Sequence, residues 1–235
     1  MNFSRFEFHR LRRGSQKLIA SPQAMHAAIA ASFRITSLQE VTENNFFTHS
    51  DIQIRTKPRV LWRIDDDGRR ALLYVVSSEK PDFSHIVEQA GWENKECWAT
   101  KSYDEFLDSL SFGQEWAFRL AANPTRSSRL GDGQRSQRLA HVTVNQQRQW
   151  LLDRCHMLGF DIPLSSHGLP EFDIRYRSIR TFRHGDSFIK ISMAVFEGTL
   201  KVIEPQLLRQ TLVNGIGPAK AYGCGLMTLA PLRRN

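Results

Sequence analysis

The sequence has few cysteines and no long apolar run. Its three cysteines are far apart and form no C-x-x-C pair, so neither a zinc ribbon nor a disulfide framework is predicted. Its 8 histidines lack the H-x-x-x-H and H-x-E spacings of zinc sites, and we expect no metal or other cofactor. No stretch is apolar enough to cross a bilayer, and residues 1–13 are too charged for a signal peptide. These features predict a reduced, cytoplasmic protein.

Positive charge is in excess. The chain has 32 lysines and arginines against 24 acidic residues, a formal net charge of +8 over 235 residues. Such an excess favours a polyanionic partner. A membrane surface would also attract it, but the sequence contains no basic amphipathic helix of the kind that lies on membranes. Nucleic acid is therefore the favoured partner.

The segment 214–231 is rich in glycine. It places four glycines around one lysine: Gly215, Gly217, Lys220, Gly223 and Gly225. Glycine adopts positive φ readily, and successive N–H groups in such a turn can converge on an anion, so a phosphate held by main chain is one interpretation. A P-loop would need Ser or Thr after Lys220, and a dinucleotide fingerprint would need a glycine in its place. The other interpretation is a glycine-rich turn before the last strand.

The order of predicted elements repeats once along the chain. In the first part we predict a strand (3–8), a basic glycine-containing loop (10–17), a helix (22–33), a hairpin (59–64 and 71–77), a helix (102–110) and a strand (115–121). Beyond 138 we predict a strand (139–144), a helix (145–158), a hairpin (172–182 and 188–196), a helix (204–213) and a strand (226–229). Each half is the βαββαβ pattern of a ferredoxin-like fold.

This order predicts an α+β protein of two tandem ferredoxin-like (RRM-like) βαββαβ domains. Residues 1–122 form the first, which contains the helix 22–33. Residues 123–138 are a flexible basic linker, because Pro, Gly, Ser and four arginines replace the apolar pattern there. Residues 139–235 form the second, with a basic hairpin and the glycine-rich loop.

Four stretches resemble one family. The run NGIGPAKAYGCGLMTLAPL (214–232) resembles the C-terminus of CasE proteins, the CRISPR-associated endoribonucleases of type I-E Cascade. The stretches 118–124 (FRLAANP) and 196–198 (FEG) and the pair Met25-His26 also agree, in family order. The resemblance implies tandem RRM-like domains and metal-independent cleavage of CRISPR precursor RNA at the base of each repeat stem-loop. It also implies 2′-hydroxyl attack, which leaves a 2′,3′-cyclic phosphate and a 5′-hydroxyl, and retention of the crRNA with the other Cascade subunits.

His26 matches the catalytic histidine of that family. Metal-free RNA cleavage needs a group that moves protons near neutral pH, and histidine is suited to it as general base or general acid. We expect His26 at the edge of the buried helix face, near the glycine loop of the other half. The alternative is an ordinary exposed helix histidine. Gln23 stands where some relatives have a tyrosine, and alanines replace their basic residues at positions 27, 28, 30 and 31. Transition-state charge would then be met by Lys220, Lys17 or Arg13.

Arginines on the second hairpin are the main candidates for RNA binding. They are Arg175, Arg177, Arg180 and Arg183, and we expect Arg175 and Arg177 to share a strand face. The resemblance implies that this hairpin grips the repeat stem, mostly through phosphates and helix shape. A solvated strand edge is the alternative. Phe6, Phe8, Tyr74 and the tryptophans at 62, 116 and 150 are expected to be packing residues rather than base-stacking surfaces.

Two other functions stay open. One is an RNA-hairpin-binding subunit of the same fold without nuclease activity, which the glutamine at 23 and the alanine face permit. The other is a small-molecule or nucleotide-binding protein that uses the glycine loop, which the hairpin arginines and the net charge disfavour.

Overall fold

A computed structural model of the chain describes residues 1–33, 60–93, 95–128, 137–184 and 187–232. The strands are β1 Asn2–Glu7, β2 Leu61–Asp66, β3 Ala71–Ser77, β4 Trp98–Ser102, β5 Glu115–Ala122, β6 Thr125–Ser128, β7 Gln137–Ala140, β8 Phe160–Asp161, β9 Phe172–His184, β10 Ser187–Val202 and β11 Met227–Ala230. The helices are α1 Arg13–Ala20, α2 Pro22–Ala31, α3 Ser84–Ala90, α4 Asp104–Asp108, α5 Val144–Leu152 and α6 Pro205–Asn214, with 3₁₀ turns at His156–Leu158 and Lys220–Tyr222. The strands pair antiparallel, so this is a mixed α/β protein built on antiparallel sheets.

The first sheet has the order β2-β3-β1-β4. The predicted hairpin is confirmed: β2 and β3 pair antiparallel around a turn in which the Asp67 carboxylate accepts from the amides of Arg69 and Arg70. The prediction that residues 115–121 close this sheet is wrong. The closing strand is β4, which pairs with β1 and is reached through α3.

Helix α1 occupies the segment predicted as a basic loop. Its buried residues are Ser15 and Leu18, while its arginine and lysine side chains face outward. Gly14 is required inside this helix, because a Cβ there would lie 2.1 Å from the carbonyl oxygen of Gln89 in α3. The glycine thus marks a close helix contact rather than a turn.

The second sheet has the order β11-β5-β10-β8, and β9 pairs with β10. β5 lies between β10 and β11, with Phe196 opposite Leu120 and Met227 opposite Leu120 on the other side. The predicted hairpin 172–182/188–196 and the predicted final strand are confirmed, and both are somewhat longer or shifted by a residue. β5 therefore belongs with the strands that follow it in the chain.

The predicted linker is only partly described. Residues 125–128 and 137–140 pair as a separate two-stranded ribbon, β6 with β7, and residues 129–136 lie outside the described residues. The strand predicted over 139–144 is wrong, because β7 ends at Ala140 and joins this ribbon rather than the second sheet. The predicted long helix is also shorter: α5 begins after the Thr143 capping box and ends at Leu152, and a 3₁₀ turn follows.

One hydrophobic cluster joins the two sheets. Leu61 and Val76 of the first sheet are buried in the same cluster as Leu120, Phe196 and Met227 of the second. A second cluster lies between the first sheet and helices α1–α3 and contains Phe6, Phe8 and Trp62, so these aromatics are core, as predicted. All three cysteines are buried and free. Within the described residues no helix is long and apolar enough to span a membrane.

Candidate functional site

Helix α2 presents His26 beside a buried apolar face. The helix begins at Pro22, and the Ser21 hydroxyl caps it by accepting from the Ala24 amide at 3.2 Å. Met25 is fully buried, whereas the adjacent His26 is exposed. The predicted position at the edge of the buried face is confirmed, and the imidazole of His26 is reachable from solvent. Gln23 lies three residues earlier, one turn along the same side of the helix.

The glycine-rich segment packs against α2. Its 3₁₀ turn, Lys220–Tyr222, contacts both α2 and β2. The expected neighbourhood of the histidine helix and the glycine segment is therefore confirmed, although 190 or so residues separate them in the chain. Lys17, the other predicted RNA contact near this helix, is exposed on α1, which also packs against α2.

The glycines of this segment are used mainly for packing. All four have positive φ, from 73° to 94°. The amides of three of them donate within the protein: Gly215 to Thr211 O at 2.8 Å, Gly223 to Lys220 O at 3.4 Å and Gly225 to Ala121 O at 2.6 Å. These amides cannot converge on an anion while they make those bonds. Among the described residues only the Gly217 amide of this set lacks a backbone acceptor.

Lys220 stabilises the end of α6. Its ammonium donates to the carbonyl of Asn214, the last residue of that helix, at 2.6 Å. A cation at a helix C-terminus is favourable because the last carbonyls have no intrahelical partner. Lys220 therefore fixes the start of the glycine segment, and its charge stays close to the turn that contacts α2.

We predict that Gly223→Ala destabilises the protein by more than Gly113→Ala. Both glycines have φ near +80°, which costs about 1 kcal/mol for alanine. A Cβ at Gly223 would lie 2.8 Å from the ring of Trp62, whereas a Cβ at Gly113 would meet nothing within 4 Å. The extra overpacking adds about 1–3 kcal/mol. Urea denaturation of both variants measures the difference, and equal losses would contradict the packing role.

Strands β9 and β10 form a long two-stranded hairpin, here called the β9–β10 ribbon, and the β9 arginines lie on both of its faces. A bulge between Val195 and Phe196 leaves Arg175 without a partner in β10. Arg175 forms an ion pair with Glu197 at 3.3 Å, whereas Arg177 lies opposite Ala194 and donates to the carbonyl of Val142. The prediction that Arg175 and Arg177 share a face is therefore wrong, because the bulge shifts the alternation by one residue.

Arg180 shares a face with the glycine segment. It lies opposite Ile191, whose side chain packs with Cys224 and, at the edge of the cluster, with Ala219 and Tyr222. Burial raises the pKa of the Cys224 thiol to about 12, and the nearby Arg180 guanidinium opposes that shift. Arg183 lies in β9 opposite Phe188, and its side chain is outside the described part of the structure.

An arginine that the sequence analysis missed joins the two sheets. Arg63 of β2 is 2% exposed, and its guanidinium donates to Arg119 O at 2.6 Å, Leu226 O at 3.1 Å and Thr228 Oγ1 at 2.8 Å in the second sheet. Asp65 accepts from its other edge at 2.7 and 2.8 Å. The only signal in the sequence is one arginine between Trp62 and Ile64, in a strand whose neighbours are apolar.

The ion pairs continue across the second sheet. Arg119 pairs with Asp65 at 3.2 Å and with Glu197 at 2.5 Å, and Glu197 in turn pairs with Arg175. A row of alternating charges therefore runs from Asp65, at the contact between the two sheets (the seam), to Arg175 on the β9–β10 ribbon. No group of three or more potential metal ligands occurs in the described ranges.

The arrangement of these elements indicates a class of protein. A histidine helix and a glycine turn meet beside a long ribbon of two strands that presents arginines on both faces, which is typical of a protein that binds nucleic acid.

Comparisons with known proteins identify the family. A family model described as CRISPR associated protein matches residues 1–231. The CRISPR-associated endoribonuclease Cse3 of Thermus thermophilus is 26% identical over 226 residues, covering 93% of this chain and 94% of the relative. The CRISPR system Cascade subunit CasE of Escherichia coli K12 is 49% identical over 181 residues, covering 73% and 89%. The chain therefore belongs to the CRISPR-associated CasE/Cse3 family.

Solved structures have the same fold. Cse3 bound to a 19-nucleotide RNA superposes with a TM-score of 0.75 at 25% identity, over 98% of this chain and 100% of the other. Thermus thermophilus Cse3 bound to an RNA that represents a pre-cleavage complex gives a TM-score of 0.73 at 25% identity, over 98% of each chain.

Proposed function

We propose that this protein is a metal-independent endoribonuclease that cleaves CRISPR precursor RNA at the base of the repeat stem-loop and then retains the crRNA as a Cascade subunit. The observation that supports it most is a relative named an endoribonuclease that matches along 93% of the chain, together with His26 on the helix that meets the glycine segment. A solved relative in a pre-cleavage RNA complex has the same fold.

The proposed reaction is an internal transesterification. The 2′-oxygen attacks the adjacent phosphorus, a P–O bond forms and the P–O5′ bond breaks, which leaves a 2′,3′-cyclic phosphate and a 5′-hydroxyl. One proton leaves the 2′-hydroxyl and one reaches the departing 5′-oxygen. His26 performs one or both transfers, as general base or general acid. Charge that builds on the phosphorane is met by Lys220, Lys17 or Arg13.

We also propose that the chain consists of two tandem ferredoxin-like (RRM-like) units. The strand order of the first sheet, β2-β3-β1-β4, and that of β11-β5-β10-β9 in the second both support the 4-1-3-2 order of that fold. The pairing of β5 supports a division between α4 and β5, before the predicted limit at residue 122. On this division β6 and β7 are an insertion in the second unit.

The RNA surface is proposed to include the predicted arginines and the glycine segment. Arg175 and Arg180 on one face of the β9–β10 ribbon and Arg177 on the other would contact both walls of a stem's groove. Contacts of this kind are mostly to phosphates, and binding then weakens steeply with salt. Arg183, at the outer end of β9, belongs to the same proposed surface.

A prediction tests this surface. Arg180→Ala should lower the slope of log K against log salt concentration by about 0.7–0.9, since one phosphate contact is lost. Lys80→Ala removes an exposed cation that follows β3 of the first sheet, and it should leave the slope unchanged. The measurement is fluorescence anisotropy of labelled repeat RNA over a series of KCl concentrations. Equal slopes for both variants would contradict a phosphate contact at Arg180.

The experiment for the function uses the repeat RNA in EDTA. The expected result is one cut at the base of the stem, and no cut in a hairpin of equal length and unrelated sequence. Tight, salt-sensitive binding with no cut would instead support the non-cleaving hairpin-binding subunit. Gln23, which cannot titrate, is the residue that favours this second candidate.

A further inference from the structure

A pocket of about 410 Å³ lies on the ribbon face away from the glycine segment. It is formed where β6 and β7 approach β9 and β10, and it is lined by Arg126, Leu139, Ala140, His141, Val142, Gln146, Ile179, Lys190 and Ser192. Ile179 and Ser192 are opposite each other in the β9–β10 ladder, so they share the face of Arg177 rather than that of Arg180. The pocket is therefore separate from the histidine and glycine site.

The walls of the pocket are held by hydrogen bonds. The Ser192 amide donates to Asn123 Oδ1 at 3.3 Å, and the Ser192 hydroxyl donates to the carbonyl of His141 at 3.4 Å. The buried Gln147 side chain donates to the same carbonyl at 2.9 Å. These bonds tie β7 and the start of α5 to β10. The shape of the pocket is therefore fixed by hydrogen bonds within the fold.

The charged residues that line the pocket are positive. Arg126 and Lys190 are exposed, and within the described residues neither forms an ion pair. No acidic residue is among the described residues that line the pocket. Burial, Arg126 and Arg154 together lower the pKa of His141, against a smaller opposing effect of Asp153. At neutral pH the imidazole is then uncharged and can both donate and accept a hydrogen bond.

Part of the pocket lining is apolar. Ile179 is 60% exposed and Val142 is 56% exposed, and both line the cavity with Leu139. A stem phosphate would need only the two cations, whereas apolar side chains beside those cations suit the flat face of a base. The volume lies within the usual range of small-ligand sites, which is about 300–1,000 Å³.

We propose that this pocket binds one unpaired RNA nucleotide, with its phosphate between Arg126 and Lys190 and its base on Ile179 and Val142. The inference rests on the proposed function, because it assumes that the ribbon holds an RNA stem. The nucleotide is distinct from the one that is cut, because His26 and the glycine segment lie on the other face of the ribbon. An acidic peptide of another subunit would have some of the same complementarity but less use for the apolar side chains.

The test compares binding of two RNAs. One is the repeat stem closed by its loop, and the other is the same stem with unpaired nucleotides on both flanks; each has a 2′-deoxy residue at the cut. The double variant Arg126→Ala/Lys190→Ala should lose about tenfold in affinity for the flanked RNA, since it removes both cations of the proposed phosphate site. Ile179→Thr, which changes no charge, should reduce affinity for the flanked RNA alone.

The matched control is Lys80→Ala/Lys101→Ala, which also removes two exposed charges; Lys80 follows β3 and Lys101 lies in β4 of the first sheet, and neither lines the pocket. For the stem alone, the pocket double variant and the control should have equal affinities. If the pocket double variant lost the same affinity for the flanked RNA and for the stem alone, the proposal would be overturned, and the two cations would contribute only nonspecific electrostatic attraction. Unchanged RNA affinity, with or without loss of incorporation into Cascade, would overturn it as well, and loss of incorporation would identify a protein partner.

Failure of the pocket and failure of the proposed function are distinguishable. The pocket variants should cut unmodified repeat RNA at the wild-type rate when enzyme is saturating, because His26 and the glycine segment are unaltered. If the wild-type protein neither binds nor cuts the repeat stem, the proposed function itself is wrong.

Discussion

Replacing His26 with alanine is expected to lower the rate of repeat cleavage by at least about 100-fold. A positioned general acid or base contributes about 10²–10⁴ to such a reaction, and the imidazole of His26 is the exposed proton-transfer group on the helix that meets the glycine segment. Stability should change little, since His26 lies outside the buried face and alanine favours a helix. The measurement is single-turnover cleavage of end-labelled repeat RNA at saturating enzyme.

The control for this variant is His167→Ala, which removes an exposed loop histidine. It should cut at the wild-type rate. RNA affinity should stay within about twofold for both variants, because neither removes one of the lysines or arginines that are proposed to contact phosphates. Imidazole added to His26→Ala should restore part of the rate. A His26→Ala protein that cuts as fast as wild type would assign the proton transfer to another group.

Replacing Arg63 with methionine is expected to lower the free energy of unfolding by about 3–5 kcal/mol, the usual cost of removing one partner of a buried charge pair. The guanidinium is 2% exposed, and it joins β2 to the backbone of β5 and to the segment that enters β11. Methionine has a similar length but leaves two buried carbonyls and the Asp65 carboxylate without these donors. Urea denaturation followed by tryptophan fluorescence gives the value.

Arg70→Met is the matched control. Arg70 is 57% exposed and pairs with Glu7 at 3.1 Å, so its loss should cost less than about 1 kcal/mol. If Arg63→Met lowered the free energy of unfolding by no more than Arg70→Met, the contact between the two sheets would be stabilised by the apolar cluster alone. Helix α2 packs on the first sheet, whereas the glycine segment leads into β11 of the second. A weaker contact between the two sheets should therefore move His26 relative to the glycine segment and slow cleavage.

The parts of the fold with strong local patterns could be predicted. The two hairpins have alternating apolar residues around turn sequences, and both are present. Two elements could not be predicted. The edge strand β4 has mostly exposed side chains and so lacks the apolar alternation of a strand, and α1 contains a glycine, which is unfavourable in most helices. β5 pairs with β10, which lies about 75 residues later in the chain, and no local sequence pattern indicates a pairing over that separation.

The candidate site could be predicted in outline. The edge position of His26 follows from helix periodicity, and its nearness to the glycine segment followed from the paired fold. The faces of Arg175 and Arg177 could not be predicted, because a one-residue bulge reverses the alternation without a sequence signal. Arg63 was missed because its partners are main-chain carbonyls of the other sheet, which look the same in any sequence.

The most direct measurement is the intact mass of the RNA products made in EDTA from the repeat RNA and from its 2′-deoxy counterpart. We expect one upstream fragment lighter by one water than a linear 3′-phosphate, one downstream fragment with a 5′-hydroxyl, and no product from the deoxy RNA. Cleavage of the deoxy RNA, or tight binding of the unmodified RNA with no product, would contradict the proposed reaction.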